Sequence, residues 1–181
     1  MSYNTIKTKF FDNGFVLVKN LLSKKEINDI FSDLEEIKKV VRNKNKQYYH
    51  LSSNGKFNSI HNINNFRRTG AVMKICKNSK ITKIVDKIFT EKTIMRNCEF
   101  FLKPKKKGLK APFHQDNYYW NIKDSKALNV WIACSSASKK NGGLCYLKGS
   151  HNLGVINHEM SFMKGSSQKI SDSIIKNLSF K

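Results

Sequence analysis

The stretch that most constrains this chain is Phe113-His114-Gln115-Asp116-Asn117-Tyr118-Tyr119-Trp120. On an extended strand, residues i and i+2 share a face, so His114 and Asp116 are expected side by side. An imidazole and a carboxylate placed this way supply two of the three ligands of the two-His-one-carboxylate facial triad. That triad binds non-haem Fe(II) and leaves coordination positions open. Phe113, Tyr118, Tyr119 and Trp120 can wall a pocket around it. A His-x-Asp pair also arises by chance on exposed strands, so its meaning depends on the residues around it.

The residues before the pair read as mixed structure. Asn13-Gly14 reads as a turn feeding a short buried strand, Phe15–Val18. Ser23 and Glu26 form a capping box, and a helix is expected from there to about Val41. Ile27, Ile30, Phe31, Leu34, Ile37 and Val41 fall on one face of that helix. Residues 43–70 are rich in Asn and read mainly as loop with room for one short strand or helix, with His50 and His61 as hydrogen-bonded or surface histidines and Arg67-Arg68 as a solvated pair. Ser79 is expected to cap a second helix through Phe89, with Ile81, Ile84, Val85 and Ile88 as its buried stripe.

After residue 92 the pattern changes to strands. Thr93–Lys103 is aromatic and β-branched enough for a strand. Pro104 to Pro112 is a basic loop delivering the chain to the His-x-Asp segment. Lys126–Cys134 and Leu144–Leu147 read as two more strands, separated by a polar loop that ends in Asn141-Gly142-Gly143. A helix is expected near Ile170–Leu178.

Composition narrows the class. A chain of 181 residues with 12 Phe suffices for one packed domain. It divides into a helical and mixed part (1–92), a β part (93–154) and a tail (155–181). No apolar run approaches a membrane span, and the N-terminal residues lack a secretory signal core. A cytoplasmic location with no membrane partner is therefore expected. Cys76, Cys98, Cys134 and Cys145 match neither a zinc-ribbon nor a C-x-x-C spacing, and read as reduced thiols. The net charge of +21 raises nucleic acid as a partner. However, only Arg42, Arg67, Arg68 and Arg96 are arginines, and the lysines are scattered over every segment. A generic solvated surface explains them better.

Taken in order, these pieces resemble the phytanoyl-CoA dioxygenase family. The matching segments are Gly14–Val18 with the capped helix, Phe101-Leu102-Lys103-Pro104, and His114-Gln115-Asp116 with Tyr118-Tyr119-Trp120. Ala127–Ala133, Asn141–Leu147 and Gly149-Ser150-His151 complete the set. The resemblance implies a double-stranded β-helix, a cupin-like jelly roll, behind N-terminal helices. It also implies Fe(II) as cofactor, 2-oxoglutarate as cosubstrate, and hydroxylation of a small organic substrate by a ferryl oxidant. His114 and Asp116 carry over as metal ligands, and Gln115 and Trp131 as residues of the 2-oxoglutarate site. Strand alternation points Gln115 away from the metal, so it would reach the cosubstrate around the strand edge. The basic loop 103–110 allows an anionic substrate, although a solvated charge run accounts for it better.

The match has a gap. The family's third metal ligand is a His on a later strand, and an Arg beyond it pairs with the distal carboxylate of 2-oxoglutarate. After Asp116 this chain has only His151 and His158, neither at a ligand position of the family, and no Arg follows Arg96. About four strand candidates stand where a jelly roll has eight. The expectation is a dioxygenase chain that is incomplete at its C-terminal side. Two other readings stay open: recruitment of His151 or His158, and a non-catalytic cupin-like protein that binds a ligand or partner. A Lys-rich nucleic-acid binder with Tyr118, Tyr119 and Trp120 as stacking platforms is a further alternative. A zinc hydrolase built on the same pair lacks the nearby Glu of an H-E-x-x-H site.

Overall fold

Helix α2 (Lys24–Arg42) forms where the sequence signal is most local. Ser23 Oγ accepts from the Glu26 N–H at 3.2 Å, and Glu26 Oε2 accepts from the Ser23 N–H at 2.7 Å. Both halves of the capping box are therefore closed. Ile30, Leu34, Ile37 and Val41 recur at i, i+4, i+7 and i+11 and are buried. Phe31, expected on the same stripe, sits at its border and is half exposed.

The computed structural model describes residues 1–163 and 166–178. Residues 164, 165 and 179–181 of the expected tail lie outside the described part. Helix α1 spans Tyr3–Asn13, followed after α2 by strands β1 (Tyr49–Leu51) and β2 (Phe57–Ile60). Helices α3 (Ala71–Cys76) and α4 (Ser79–Phe89) lead to strand β3 (Phe100–Phe101). The three strands form one antiparallel sheet in the order β1-β2-β3. Tyr49, Ile60 and Phe100 align across it, as do His50, Ser59 and Phe101. The first set joins the apolar core under α2 and α3. The second set places His50 and Ser59 beside the exposed ring of Phe101 on the opposite face.

A buried carboxylate locks α2 to α3. Asp33 is ion-paired with Arg67 and accepts the Val72 N–H at 2.9 Å. Gly70, with φ 103°, precedes α3, and a Cβ there would lie 2.5 Å from Asp33 Oδ2. The absence of a side chain at residue 70 leaves room for that carboxylate.

The first turn of the sequence reading is corrected. Asn13 ends a helix, and Gly14 is its left-handed cap, whose N–H donates to Phe10 O at 2.8 Å. Phe15–Val18 pairs with no strand, and Leu17 is exposed. The cap of α4 also shifts by one residue: Asn78 Oδ1 accepts the Lys80 N–H, and Ser79 is the first helical residue. Within 43–70, read as mainly loop, β2 is buried at every position.

Beyond residue 102 less regular structure forms than expected. Of Thr93–Lys103, only Phe100–Phe101 pairs as strand. Lys126–Cys134 and Leu144–Leu147 form no strand. Gln115 is extended, but Asp116 opens a short helix, α5 (Asp116–Trp120), so the His-x-Asp segment is a strand-like lead into a helix. An acidic residue in a first helical turn faces the positive end of the helix dipole, which favours this ending. Strands β4 (Glu159–Met160) and β5 (Gln168–Lys169) make a separate antiparallel pair. Helix α6 (Asp172–Asn177) falls inside the helix expected near Ile170–Leu178. The helices followed by β structure keep the expected order, but among the described residues the sheets are one of three strands and one of two. Among those residues no helix is long and apolar enough to cross a membrane.

Candidate metal centre

His114 and Asp116 meet. His114 Nε2 lies 3.3 Å from Asp116 Oδ1. The strand-to-helix bend at Gln115 brings them together, in place of the strand alternation expected from sequence. Pro112 O lies 2.8 Å from His114 Nδ1. A carbonyl only accepts, so Nδ1 carries the proton and the Nε2 lone pair of the neutral ring faces the carboxylate. Fixing a ligand His through its other nitrogen is how proteins orient an imidazole toward a metal. Asn129 Nδ2 donates to Asp116 Oδ2, holding the carboxylate from the far side. The donor set and its orientation fit a divalent metal bound by these two residues.

The electrostatics of the pair are consistent with its geometry. When the ring takes up a second proton, Nε2–H donates to Asp116, and this bond raises the His114 pKa above the ordinary imidazole value. Burial opposes this, and the Pro112 carbonyl supports it. Tyr119 stands edge-on to the His114 ring, with centroids 6.1 Å apart. Tyr146 stacks on Phe15, and burial together with the Asp116 charge raises its pKa. An open, mainly apolar hollow lies beside the pair, lined by Phe113, His114, Tyr146, Ile156 and Ile170 among others.

The remaining sequence candidates are placed differently. Gln115 Nε2 donates to Gly154 O at 2.7 Å, and its Oε1 accepts the Ile156 N–H at 2.8 Å. Both ends of that amide therefore pin the 154–156 segment beside the metal motif. Trp131 lies two residues beyond Asn129 and is 43% exposed. His158 Nε2 accepts the Gln115 N–H at 2.9 Å, its Nδ1 lies 2.8 Å from Ile156 O, and its ring stacks on Tyr118. His151 Nε2 lies 2.7 Å from Phe11 O and so holds the end of α1. A Cβ on Gly14 would come within 2.6 Å of the same ring. Both later histidines thus spend ring nitrogens on backbone groups, His158 on the N–H between the two candidate ligands. Among the described residues no group of three His, Cys, Asp or Glu side chains is set to hold a metal.

Sequence reasoning missed Pro112, Asn129 and Tyr146. Asn129 was readable only as a strand residue, because its link to Asp116 spans 13 positions. His61, read as a hydrogen-bonded histidine, is one: it contacts Ser59 Oγ at 2.8 Å and Glu99 Oε2 at 3.1 Å.

Comparison with known proteins agrees with the order of these motifs. The family profile described as Phytanoyl-CoA dioxygenase (PhyH) matches residues 10–174. The human protein "Phytanoyl-CoA dioxygenase, peroxisomal" is 26% identical over 181 residues, covering 92% of this chain and 53% of its own length. Its counterparts from Rattus norvegicus and Mus musculus are each 27% identical over 183 residues, with the same coverage. The chain spans about half the length of these curated relatives. With the profile covering most of its residues, the chain belongs to the phytanoyl-CoA dioxygenase family.

Proposed function

We propose that this chain carries the metal-binding part of a non-haem Fe(II)- and 2-oxoglutarate-dependent dioxygenase that hydroxylates a small organic substrate. The observation that supports this most is the approach of His114 Nε2 to Asp116 Oδ1, with the imidazole fixed by Pro112 O. His114 and Asp116 would hold the metal. When bound, Fe(II) with 2-oxoglutarate and O₂ supplies the oxidation of an unactivated C–H bond. The protein's own residues position and shield. Pro112 and Asn129 orient the two ligands. Phe113, Tyr146, Ile156 and Ile170 give the neighbouring hollow an apolar lining for a substrate. Trp131 and Gln115 are proposed for the cosubstrate side, and in this arrangement the Gln115 amide serves the 154–156 segment.

On this reading residues 1–181 form one domain, and the β part belongs to a jelly roll. An anionic group on the substrate would be met by the lysines of loop 103–110. The third metal ligand and the cationic partner of 2-oxoglutarate are not assigned to any described residue. The proposed location is cytoplasmic, while the names of the relatives place those proteins in the peroxisome.

A second reading is a ligand-binding relative without turnover. It is favoured by one observation: His151 and His158 both spend ring nitrogens on backbone groups, which leaves two donors at the site among the described residues. Succinate formation separates the readings. The chain is incubated with Fe(II), ascorbate, O₂ and 2-oxoglutarate, beside His114→Ala. Succinate that requires Fe(II) and disappears in the variant supports the oxygenase. Metal binding with no succinate above the variant's level supports the ligand-binding protein.

A further inference from the structure

Away from the candidate metal centre, two of the four cysteines meet. Cys76 ends α3, and Cys98 lies in the extended segment that feeds β3. Their Sγ atoms are 3.5 Å apart and share a thiol–thiol hydrogen bond in which either sulfur can donate. Both side chains are partly buried against the edge of the apolar core. Both backbones are held. The Cys98 N–H donates to Asn64 Oδ1 at 3.0 Å, and Cys98 O accepts the Ile63 N–H at 2.9 Å. At the end of α3 the Lys77 N–H donates to Met73 O at 3.2 Å. A disulfide bond is about 2.0 Å long. Closing the gap therefore takes an approach of about 1.5 Å.

We propose that Cys76 and Cys98 form a thiol-pair site that reduces a hydroperoxide and closes to an intramolecular disulfide. Cys76 is the attacking thiol and Cys98 the resolving one. The hydrogen bond from Cys98 lowers the Cys76 pKa, with burial opposing, while the same bond and burial raise that of Cys98. The Cys76 thiolate attacks the terminal peroxide oxygen, the O–O bond breaks, and an alcohol (or water) leaves. Cys76 becomes a sulfenic acid. Cys98 then gives up its proton and attacks the Cys76 sulfur, and the hydroxyl leaves as water. Two thiols and one hydroperoxide thus give one disulfide, one alcohol and one water. The two sulfurs are oxidised by two electrons in total, and the peroxide is reduced by two. The bridge would tie the end of α3 to the strand-feeding segment. The inference does not rest on the proposed oxygenase reading.

The test uses the folded chain and hydrogen peroxide. Free thiols are counted after denaturation, and peptides are mapped without reduction. The expected result is loss of two of the four thiols, a 76–98 linked peptide lighter by two hydrogens, and reversal by dithiothreitol. Cys98→Ser should stop at a Cys76 sulfenic acid that dimedone traps, whereas Cys76→Ser should leave Cys98 unlabelled. The double variant Cys134→Ser with Cys145→Ser keeps the pair intact and should still form the link, which provides a test if the single variants do not fold. Persistence of both thiols while exposed Cys145 oxidises would overturn the proposal. So would a linkage dominated by Cys145 or by a second chain.

Discussion

The two halves of the molecule are held together by different forces. Before residue 90 the chain buries Ile30, Leu34, Ile37, Val41, Ile60, Ile63 and Ile75 in one contiguous core. Among the described residues after 102, the only apolar side chain buried to the same degree is Ile170. The candidate metal centre lies in this second part and is positioned by hydrogen bonds: Pro112 to His114, Asn129 to Asp116, and Gln115 to the 154–156 segment. Stability should therefore depend on the first region and binding on the second. Substitutions that separate the two properties test that division.

The largest loss is expected at Asp33. Replacing it by Ala removes the ion-pair partner of Arg67, whose Nε is already buried without a hydrogen-bond partner among the described residues. Breaking a buried pair in this way costs about 3–5 kcal/mol, read by urea denaturation. Gly70→Ala should damage the same lock, because its Cβ has no room beside the carboxylate. Next is Ile37→Ala, at a fully buried position, with an expected loss of about 2–5 kcal/mol. If Ile37→Ala shifts the midpoint no more than a surface substitution does, the core assignment is wrong.

Ser23→Ala opens the capping box and should cost about 1 kcal/mol. His114→Ala removes a half-exposed side chain from a hydrogen-bonded site. Its effect on stability should stay within about 0.5 kcal/mol, while metal binding is lost. A large loss of stability in this variant would mean that the two regions are not separable.

The smallest effect concerns pH. Burial, and then the neighbouring His61, lowers the His50 pKa. The folded state therefore prefers neutral His50. The stability it contributes is complete above the unfolded value, near 6.5, and is lost as pH falls through the lower folded value. Melting curves recorded from pH 7 downward should show a slightly steeper loss for the native chain than for His50→Gln. Equal slopes would contradict the assignment.

Legibility in the sequence followed the range of the interactions. The signals for α2 and α4 are local, combining a cap with a period of 3.6, and both helices formed close to where they were read. Helix α1 was missed because it is polar and buries only Ile6. Its end was mistaken for a strand turn, since Asn-Gly serves a hairpin and a helix cap equally. The burial of β2 within an Asn-rich stretch depends on β1 and β3, which lie elsewhere in the chain. The strands expected at 126–134 and 144–147 failed for the converse reason: apolar alternation shows that a segment can pair, but not that a partner is present. At the site, His114 and Asp116 were picked out by their spacing together with the ordered motifs around them, although a bend into α5, and not strand alternation, brings them to 3.3 Å. Asn129 and Tyr146 were not, because only the fold brings them near.

The central claim is that His114 and Asp116 together bind a divalent metal in a folded chain. It is tested most directly by anaerobic thermal-shift titration with Mn(II) or Fe(II), with and without 2-oxoglutarate, against the His114→Ala, Asp116→Ala double variant. A ligand at a hundred times its dissociation constant stabilises the native state by about 2.7 kcal/mol. The account predicts a metal-dependent rise in Tm that grows with 2-oxoglutarate and disappears in the double variant. The same melting curve at every metal concentration, in chain and variant alike, would contradict it.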